Sequence, residues 1–349
     1  MKKILCKNEI VKENIRMFLE NNTLVSLINY PKYISSTKLK ELINTDNMPN
    51  SVNSKEILLN RNLNIDINTI EIIKGITIKN CILRHLPTKI SFYSSKIIEE
   101  NIATNLSALE PVLILHTSLD NKWYYIQSYF YRGWVSKNEI LLINDNIFSY
   151  FINTNNFLIV TNKEISIDNI KLNMGVKIPY LLEHKRYYEI LIPTDDGIKI
   201  SKLKKFGVNK GYLSYTDINV LKQALKYKNT KYSWGGINGG IDCSMLITNI
   251  FKTFGLYFPR DTKEQENCIG INKINLKGLT TNEKKKVLTN LKYPFILYKP
   301  GHVLLCIYKN TVIHAYGKAN KVIISKIYNS YGDNLYPYLT SAINLYKNR

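Results

Sequence analysis

The residues best suited to chemistry are one cysteine behind a glycine-rich loop and two histidines about sixty residues further on. Cys243 follows Asp242, a good N-cap residue, and precedes apolar residues at helical spacing, so we expect it to begin a helix. There the unpaired backbone N–H groups and the helix dipole favour a thiolate, and the same N–H groups can hold an oxyanion. Cys243 is therefore a candidate nucleophile, although a free cysteine taken alone is more often a small buried hydrophobic residue.

The two histidines lie in strand-like runs on either side of a turn at Lys309-Asn310. His302 and His314 are twelve residues apart, so regular pairing around a two-residue turn would place them on opposite faces of the hairpin. A three- or five-residue loop, or a bulge, would instead make them close neighbours on one face. Only the second geometry allows both side chains to serve one site.

Five short segments together resemble the NlpC/P60 family of papain-like cysteine peptidases, in the family's order and at about its spacing. They lie within about residues 211–342 and are Tyr232-Ser233-Trp234-Gly235-Gly236, Asp242-Cys243-Ser244, Pro259-Arg260-Asp261, Gly301-His302 and His314-Ala315. The resemblance implies that Cys243 is the nucleophile, His302 the general base and acid, and His314 the residue that orients the imidazole. Amide cleavage by a thiol needs such a set, because a base must activate the thiol and then protonate the leaving amine.

The resemblance also implies substrate-binding roles for Tyr232, Asp242, Ser244 and Asp261. A buried carboxylate beside the nucleophile suits the ammonium group of a substrate, which would fix the register of the bound peptide. The alternative for Asp242 is helix capping, which is compatible with binding; for Ser244 and Asp261 it is local capping and turn formation. Met245 departs from the family, which usually has a small glycine there, and this bears on how closely the helix N-terminus packs.

Three predicted regions precede the segment that carries Cys243, His302 and His314. Residues 1–75 are predicted to form a helical N-terminal region, and residues 76–146 and 147–210 form two small barrels of short strands separated by turns. Residues 211–349 form the peptidase domain. The expected fold class is therefore α+β, with a papain-like NlpC/P60 peptidase domain preceded by two SH3-like β-barrels and a short helical N-terminal region.

The first of the two barrels resembles a bacterial SH3-like (SH3b) domain by its turn at residues 116–123 and its Gly133-Trp134-Val135 strand. In related enzymes a residue just before this strand extends towards the peptidase cleft, which makes Tyr131 a candidate for substrate binding and Glu110 a second one. Trp123 and Trp134 are expected in the barrel core, since small barrels bury their aromatic residues.

These resemblances imply a cysteine peptidase that cleaves the γ-D-glutamyl–diamino acid bond of murein (peptidoglycan) peptides through a thioester, with no metal or cofactor. A barrel that closes one end of the cleft favours short peptides with a free N-terminal L-Ala. Two alternatives stay open. A non-catalytic cell-wall-binding protein would keep the SH3b domains without needing a reactive thiol, and a thioester acyltransferase on the same fold would use an amine or lipid acceptor instead of water.

Composition restricts the other possible partners. The chain has 45% hydrophobic and 21% charged residues, as an ordinary globular protein does. Its net charge of +21 comes from basic residues spread along the sequence, which favours a compositional bias over a nucleic-acid partner. The five cysteines form no CxxC pair, and no histidine has a second ligand at metal spacing, so neither a disulfide framework nor a metal site is predicted.

Targeting signals are weak in this sequence. The N-terminus is positively charged, but its apolar run Ile4-Leu5-Cys6 is too short for a signal peptide, and no window is long enough to span a membrane. We therefore expect a cytoplasmic protein that recycles imported or released murein peptides, unless a leader precedes this sequence. The sequence makes no prediction of the oligomeric state.

Overall fold

The computed structural model describes residues 5–20, 24–268, 272–344 and 346. The chain divides into two compact units, one formed by Val25–Gly211 and the other by Met1–Leu24 together with Tyr212–Arg349. We call the first the N-terminal unit and the second, which contains the predicted peptidase domain, the peptidase unit. The four domain boundaries expected from the sequence stay predictions.

Eight α-helices lie in the described part of the chain. They are α1 (Lys7–Glu20), α2 (Ser36–Thr45), α3 (Lys55–Leu59), α4 (Asp145–Asn153), α5 (Asp217–Leu225), α6 (Cys243–Lys252), α7 (Thr262–Cys268) and α8 (Thr281–Thr289). Six of them begin at a Ser, Thr, Asn or Asp whose side chain accepts a hydrogen bond from a backbone N–H of the first turn, which offsets the unpaired donors there. Short 3-10 helices occur at Lys137–Glu139, Trp234–Gly236, Gly317–Ala319 and Tyr336–Tyr338. No helix in these residues is long and apolar enough to cross a membrane.

The N-terminal unit is built mainly of short strands. They are β1 (Tyr33–Ser35), β2 (Thr69–Glu71), β3 (Ile73–Thr77), β4 (Cys81–Arg84), β5 (Tyr93–Ser95), β6 (Ile98–Glu99), β7 (Ile102–Leu106), β8 (Pro111–Thr117), β9 (Trp123–Gln127), β10 (Arg132–Ser136), β11 (Ile140–Leu142), β12 (Phe157–Val160), β13 (Glu164–Ile167), β14 (Ile170–Asn173), β15 (Lys177–Glu183), β16 (Tyr187–Thr194), β17 (Gly197–Lys204) and β18 (Val208–Lys210).

These strands form two larger antiparallel sheets and three small ones. The first larger sheet has the strand order β11-β3-β8-β9-β10-β4-β7, and the second has the order β17-β16-β15-β12-β18. The first sheet is formed by strands within residues 73–142 and the second by strands within residues 157–210. Trp123 and Trp134 are buried in the first sheet, as expected for core residues. In the second sheet Thr194 pairs with Gly197 across a two-residue turn at Asp195-Asp196.

The peptidase unit contains one six-stranded antiparallel sheet. Its strands are β19 (Lys273–Asn275), β20 (Phe295–Lys299), β21 (His302–Tyr308), β22 (Thr311–Tyr316), β23 (Lys321–Lys326) and β24 (Ser341–Ile343), in the order β19-β24-β20-β21-β22-β23. The three central strands are buried at nearly every residue, so both faces of the sheet are covered.

Helix α6 packs against β21 and β22 and is the central helix of this unit. Eight of its ten residues are buried, which places it in the core and not on an amphipathic surface. Phe251 is fully buried, as is Phe254 just beyond the helix, and each such side chain contributes about 1.5–3 kcal/mol of stability. The residue that begins α6 is therefore held by a rigid, well-packed element.

Helix α1 belongs to the same compact unit, although the sequence suggests one continuous N-terminal region. The Asn14 side chain accepts a hydrogen bond from the backbone N–H of Tyr257 at 3.1 Å and donates one to the carbonyl of Gly255. Gly255 has φ +78°, the left-handed conformation that glycine adopts readily, and lies just after the end of α6. Asn14 therefore ties α1 to the chain that leaves the central helix.

Candidate active site

The hairpin β21–β22 turns over two residues but contains a bulge. Cys306 pairs with Val312, whereas the next pair is Tyr308 with Thr311. Ile307 therefore has no partner across the hairpin, and one extra residue stands on β21. Because of this shift, the residues of β21 before the bulge face the opposite side of the sheet from the one that regular pairing around a two-residue turn would give them.

The bulge brings the two histidines together. Nε2 of His302 lies 2.7 Å from Nδ1 of His314, which is a hydrogen bond between the two imidazoles. His302 is 7% exposed and His314 is fully buried. On the other side of its ring, His314 Nε2 lies 2.9 Å from the hydroxyl oxygen of Ser330. Of the two geometries left open by the sequence, the structure has the one in which both rings can serve one site.

An aromatic ring covers the histidine pair. The ring of Tyr316 lies 5.5 Å from that of His302 and 5.0 Å from that of His314, measured between centroids. Its hydroxyl donates a hydrogen bond to the carboxylate of Asp333, which also accepts one from Lys318 at 2.7 Å. Both imidazoles are thus confined by packing as well as by hydrogen bonds.

Cys243 is the first residue of α6, where the sequence predicts it. Asp242 is the N-cap and accepts a hydrogen bond from the backbone N–H of Met245 at 2.9 Å. The Cys243 sulfur lies 3.8 Å from the hydroxyl of Thr262, and the backbone of Val303 is near enough to lower the pKa of the thiol. Since Val303 directly follows His302, the thiol lies beside the start of β21.

The electrostatics of the site favour neutral resting groups. Burial raises the pKa of the Cys243 thiol, and the nearby Asp242 raises it further, against smaller opposing effects of Val303, Thr262 and Arg260. Burial lowers the pKa of His302 well below its usual value, with a further contribution from His314. The resting thiolate expected from the helix N-terminus is therefore opposed by burial. Attack by sulfur then requires transfer of the thiol proton to an imidazole.

A buried ion pair lies directly behind the nucleophile. Arg260 donates from Nη1 to Oδ1 of Asp242 at 3.1 Å and from Nη2 to Oδ2, so the pair is bidentate. Nη1 also donates to the Ser244 hydroxyl at 2.8 Å, and that hydroxyl donates to Asp242 at 3.2 Å. The structure thus realises the capping alternative for Asp242. Its binding of a substrate ammonium stays a prediction and would require one carboxylate to serve two cations.

The other predicted binding residues of the peptidase unit lie close by. Tyr232 is half-buried, and its backbone N–H donates to the carbonyl of Asn320 at 3.0 Å. Burial raises the pKa of its phenol, and Cys243 and Asp242 add to that effect. Asp261 is partly exposed and immediately precedes α7. The binding roles of Tyr232, Ser244 and Asp261 stay predictions.

Glu110 and Tyr131 lie in the N-terminal unit. Glu110 is 8% exposed and follows Leu109, whose φ of +64° is rare for a bulky side chain. The backbone N–H of Glu110 donates to the Thr77 hydroxyl at 2.9 Å. The Tyr131 ring lies 6.1 Å from that of His85. Their predicted contribution to substrate binding stays a prediction.

Sequence analysis missed several residues that contact the site. Thr262 lies next to the cysteine, Tyr316 covers the histidines, and Ser330 contacts His314. The segment around Ser330 reads Asn-Ser-Tyr-Gly-Asp-Asn, a composition typical of a turn, which could have drawn attention to it. No group of three or more His, Cys, Asp or Glu within residues 5–20, 24–268, 272–344 and 346 is arranged to hold a metal ion.

Comparison with known proteins agrees with this geometry. Residues 229–338 match the model of the NlpC/P60 family, and residues 96–136 match that of the SH3 domain (SH3b1 type). The chain is 25% identical to dipeptidyl-peptidase 6 of Lysinibacillus sphaericus, over 62% of this chain and 81% of that protein. It is 24% identical to the gamma-D-glutamyl-L-lysine dipeptidyl-peptidase of Bacillus cereus, over 42% of this chain and 46% of that protein.

A solved structure shares the fold over almost the whole chain. An NlpC/P60 endopeptidase from Photobacterium damselae subsp. piscicida superposes with a TM-score of 0.75 at 19% identity, covering 99% of this chain and 94% of that one. The predicted fold class, α+β with an SH3b region on the N-terminal side of the peptidase domain, is thereby confirmed. Residues 229–338 are thus identified as an NlpC/P60 domain, and a domain that matches the SH3 domain (SH3b1 type) precedes it in the chain.

Proposed function

We propose that this peptidase hydrolyses the γ-D-glutamyl–diamino acid bond of murein peptides that carry a free N-terminal L-Ala. Cys243 is the nucleophile, His302 the general base and acid, and His314 the residue that orients His302. The observation that carries the proposal is the 2.7 Å hydrogen bond between the two imidazoles. His302 is the first residue of β21, and the thiol lies beside that start of the strand. The choice of bond is supported by the name of the Bacillus cereus relative.

Cys243, His302 and one water molecule account for every bond and proton of the proposed reaction. His302 takes the thiol proton as the Cys243 sulfur attacks the amide carbonyl, and the oxyanion is held by N–H groups at the start of α6. The C–N bond then breaks, and protonated His302 gives its proton to the leaving amine of the diamino acid. Water, deprotonated by His302, attacks the thioester, the C–S bond breaks to release the γ-D-glutamyl acid, and protonated His302 returns the proton to the Cys243 sulfur. Because the resting thiol is neutral, the first proton transfer accompanies the attack on the carbonyl.

The nitrogen that exchanges protons is defined by the histidine pair. Nε2 of His302 is bonded to His314, so Nδ1 is the atom left to face thiol, leaving group and water in turn. This assignment requires His314 to hold the ring in one orientation throughout the cycle. The Tyr316 ring packed against both imidazoles restricts their rotation in the same way.

Mass spectrometry of a defined peptide tests the proposal. L-Ala-γ-D-Glu-diamino acid peptide, with and without an acetylated amino terminus, is incubated with the wild-type protein and with Cys243→Ala. Release of L-Ala-D-Glu by the wild type only, and from the free peptide only, is expected. Equal cleavage of the acetylated peptide would remove recognition of the amino group from the proposal. No cleavage of either peptide would overturn the hydrolase assignment in favour of acyl transfer or wall binding.

A further inference from the structure

A tight turn after β23 reaches the buried side of the histidine pair. Ser330 and Asp333 exchange two backbone hydrogen bonds, of 2.7 and 3.0 Å, around Tyr331 and Gly332. The φ angles of these two central residues are +53° and +87°, so the four residues form a type I′ turn. We call it the 330–333 turn. A tyrosine at positive φ costs roughly 1 kcal/mol or more, and such strain persists only where the surroundings impose it.

Ser330 places a hydroxyl oxygen against His314. Ser330 is fully buried, and its Oγ lies 2.9 Å from His314 Nε2. The Ser325 hydroxyl donates to the same oxygen at 3.0 Å. A serine hydroxyl has two acceptor positions, so with the Ser325 hydroxyl at one of them Ser330 can still receive an N–H from the imidazole of His314. The Ser325 oxygen lies farther from the same nitrogen, at 3.4 Å.

The proposed proton transfers require one tautomer of each ring, and Ser330 can accept the proton that His314 carries in that tautomer. For His302 to accept a proton at Nδ1 while neutral, its own proton must lie on Nε2 and point to His314 Nδ1. His314 Nδ1 must then be the acceptor, so the proton of neutral His314 must lie on Nε2. That proton points at Ser330 Oγ. The opposite tautomer of His314 would donate from Nδ1 to His302 Nε2 and leave His302 unable to act as a base.

Asp333, at the other end of the turn, acts on the ring that covers the pair. Its carboxylate accepts the hydrogen bond of the Tyr316 hydroxyl and the one from Lys318. Hydrogen bonds from Lys318 and Tyr316 hold the pKa of Asp333 below its usual value, so the carboxylate is charged at neutral pH. One four-residue turn therefore holds the histidine pair at two points, through Ser330 directly and through Tyr316 indirectly.

We propose that Ser330 and Asp333 are positioning residues of this peptidase: Ser330 fixes the tautomer of His314 and Asp333 fixes the Tyr316 ring. The inference rests on the proposed function, because it assigns the 330–333 turn a role in the proton transfers of His302. Neither residue touches the reacting atoms. Ser330 contacts His314, and Asp333 contacts Tyr316, which packs against both imidazoles.

The first test compares Ser330→Ala with a matched control. Ser341→Ala also removes a buried hydroxyl from the same unit, one that donates to Glu266 at 2.7 Å, but it leaves the histidines untouched. Ser330→Cys keeps the side-chain volume and weakens the acceptor, which separates the hydrogen bond from packing. We expect kcat to fall about 10- to 100-fold in both Ser330 variants, a part of what general acid–base catalysis contributes, with KM nearly unchanged. An equal loss in Ser341→Ala would assign the effect to stability and overturn the proposal.

A second readout does not depend on the substrate. Ring-nitrogen NMR of histidine-labelled protein distinguishes the two neutral tautomers, and His302→Gln and His314→Gln assign the signals among the five histidines. We expect the Nε2–H form for His314 in the wild type and a mixture of both forms in Ser330→Ala. The Nδ1–H form in the wild type, or an unchanged tautomer in Ser330→Ala, would overturn the role of Ser330. Failure of the proposed hydrolysis would leave this measurement informative, so the two ideas can fail separately.

Asp333 requires a double-mutant cycle. If it acts through the Tyr316 hydroxyl, Asp333→Ala and Tyr316→Phe should reduce kcat by a similar factor, and the double variant should be no worse than either. Lys318→Met is the control, since it removes the other partner of the same carboxylate. Multiplicative losses in the double variant, or a loss in Lys318→Met as large as that in Asp333→Ala, would remove Asp333 from the proposal.

Discussion

Nδ1 of His314 lies 2.7 Å from Nε2 of His302 on one face of a hairpin whose two-residue turn would, with regular pairing, keep them apart. The bulged residue Ile307 is the cause of this arrangement. Since both rings are buried, their hydrogen bond is shielded from water and is stronger than a surface bond would be. The site therefore depends on the register of two strands as much as on the identity of its residues.

The first prediction concerns the acceptor at His314. His314→Asn keeps a side-chain oxygen close to the place of Nδ1, whereas His314→Leu keeps similar bulk without an acceptor. If His314 orients His302, kcat should fall by about 100-fold or more in the Leu variant. The Asn variant should keep most of the activity that the Leu variant loses. The measurement is kcat and KM on the L-Ala-γ-D-Glu-diamino acid peptide. Equal activities in the two variants would show that bulk alone matters.

The second prediction is a loss of stability in acid that originates at His314. Burial, with a smaller effect of Lys299, lowers the pKa of His314 to about 3 in the folded protein, against about 6.5 unfolded. Below pH 6.5 His314 binds a proton in the unfolded chain but not in the folded one. The contribution of His314 to the free energy of unfolding is therefore full above that pH and decreases as the pH falls towards 3. Between pH 7 and 5 we expect His314 to contribute a loss of about 2 kcal/mol, which His314→Asn should remove, whereas the loss due to His302, whose pKa is also lowered by burial, should stay.

Buried cysteines allow this loss to be located. Cys306 reports unfolding of the peptidase unit and Cys81 that of the N-terminal unit, since both are free and 1% exposed. Their rates of modification in urea, measured by mass spectrometry at pH 7 and pH 5, give the stability of each unit. His85 has a pKa of about 4 through burial, so Cys81 should also show acid sensitivity, but His314→Asn should not change it. An effect of His314→Asn on Cys81 alone would contradict the assignment.

Much of this site is visible in the sequence, and the rest depends on tertiary structure. The helical spacing after Cys243 and the N-cap Asp242 predict the start of α6, because capping and periodicity are local properties. The bulge at Ile307 leaves no mark in the pattern, since strand pairing and core packing decide where an extra residue stands. The contact from Ser330 cannot be deduced either, because a turn sixteen residues after His314 in sequence must fold back on it.

The same limit explains the electrostatics of the nucleophile. The helix N-terminus predicts a lowered thiol pKa, and that element is present. The sequence does not show how deeply the thiol is buried, and burial is the largest effect on its pKa. The partner of Asp242 is likewise eighteen residues away in sequence, at Arg260. Local patterns identify the groups, whereas their ionisation depends on what packs around them.

The third prediction tests the ion pair between Arg260 and Asp242. Arg260 is 3% exposed, so Arg260→Met should leave a buried carboxylate without this cation and cost about 3–5 kcal/mol. Arg260→Lys keeps the charge without the two parallel bonds, and its loss should be smaller. Adding Asp242→Asn to Arg260→Met should recover part of the stability, since no charge is then left alone. Urea unfolding followed through Cys306 measures each step, and a cost under about 1 kcal/mol for Arg260→Met would contradict buried pairing.

The last prediction concerns the close packing of the glycine-rich loop on the start of α6. A Cβ at Gly236 would lie 2.1 Å from the sulfur of Met245, and the φ of Gly236 is +70°. Gly239 has nearly the same φ, +71°, but nothing lies within 4 Å of its missing Cβ. Gly239→Ala should therefore cost only the backbone strain, about 1–2 kcal/mol, and Gly236→Ala that strain plus the displacement of the Met245 thioether, the flexible end of a buried side chain.

Because Met245 donates its N–H to the N-cap Asp242, the clash at Gly236 should also reach the nucleophile. We expect Gly236→Ala to change the rate of Cys243 alkylation, whereas Gly239→Ala should leave it near the wild-type value. Met245→Ala removes the obstructing sulfur. The double variant Gly236→Ala/Met245→Ala should therefore lose little more stability than the sum of the losses in Met245→Ala and in Gly239→Ala. If the double variant instead loses as much stability as Gly236→Ala and Met245→Ala added together, the two side chains do not compete for this space. That result would contradict close packing of the loop on α6.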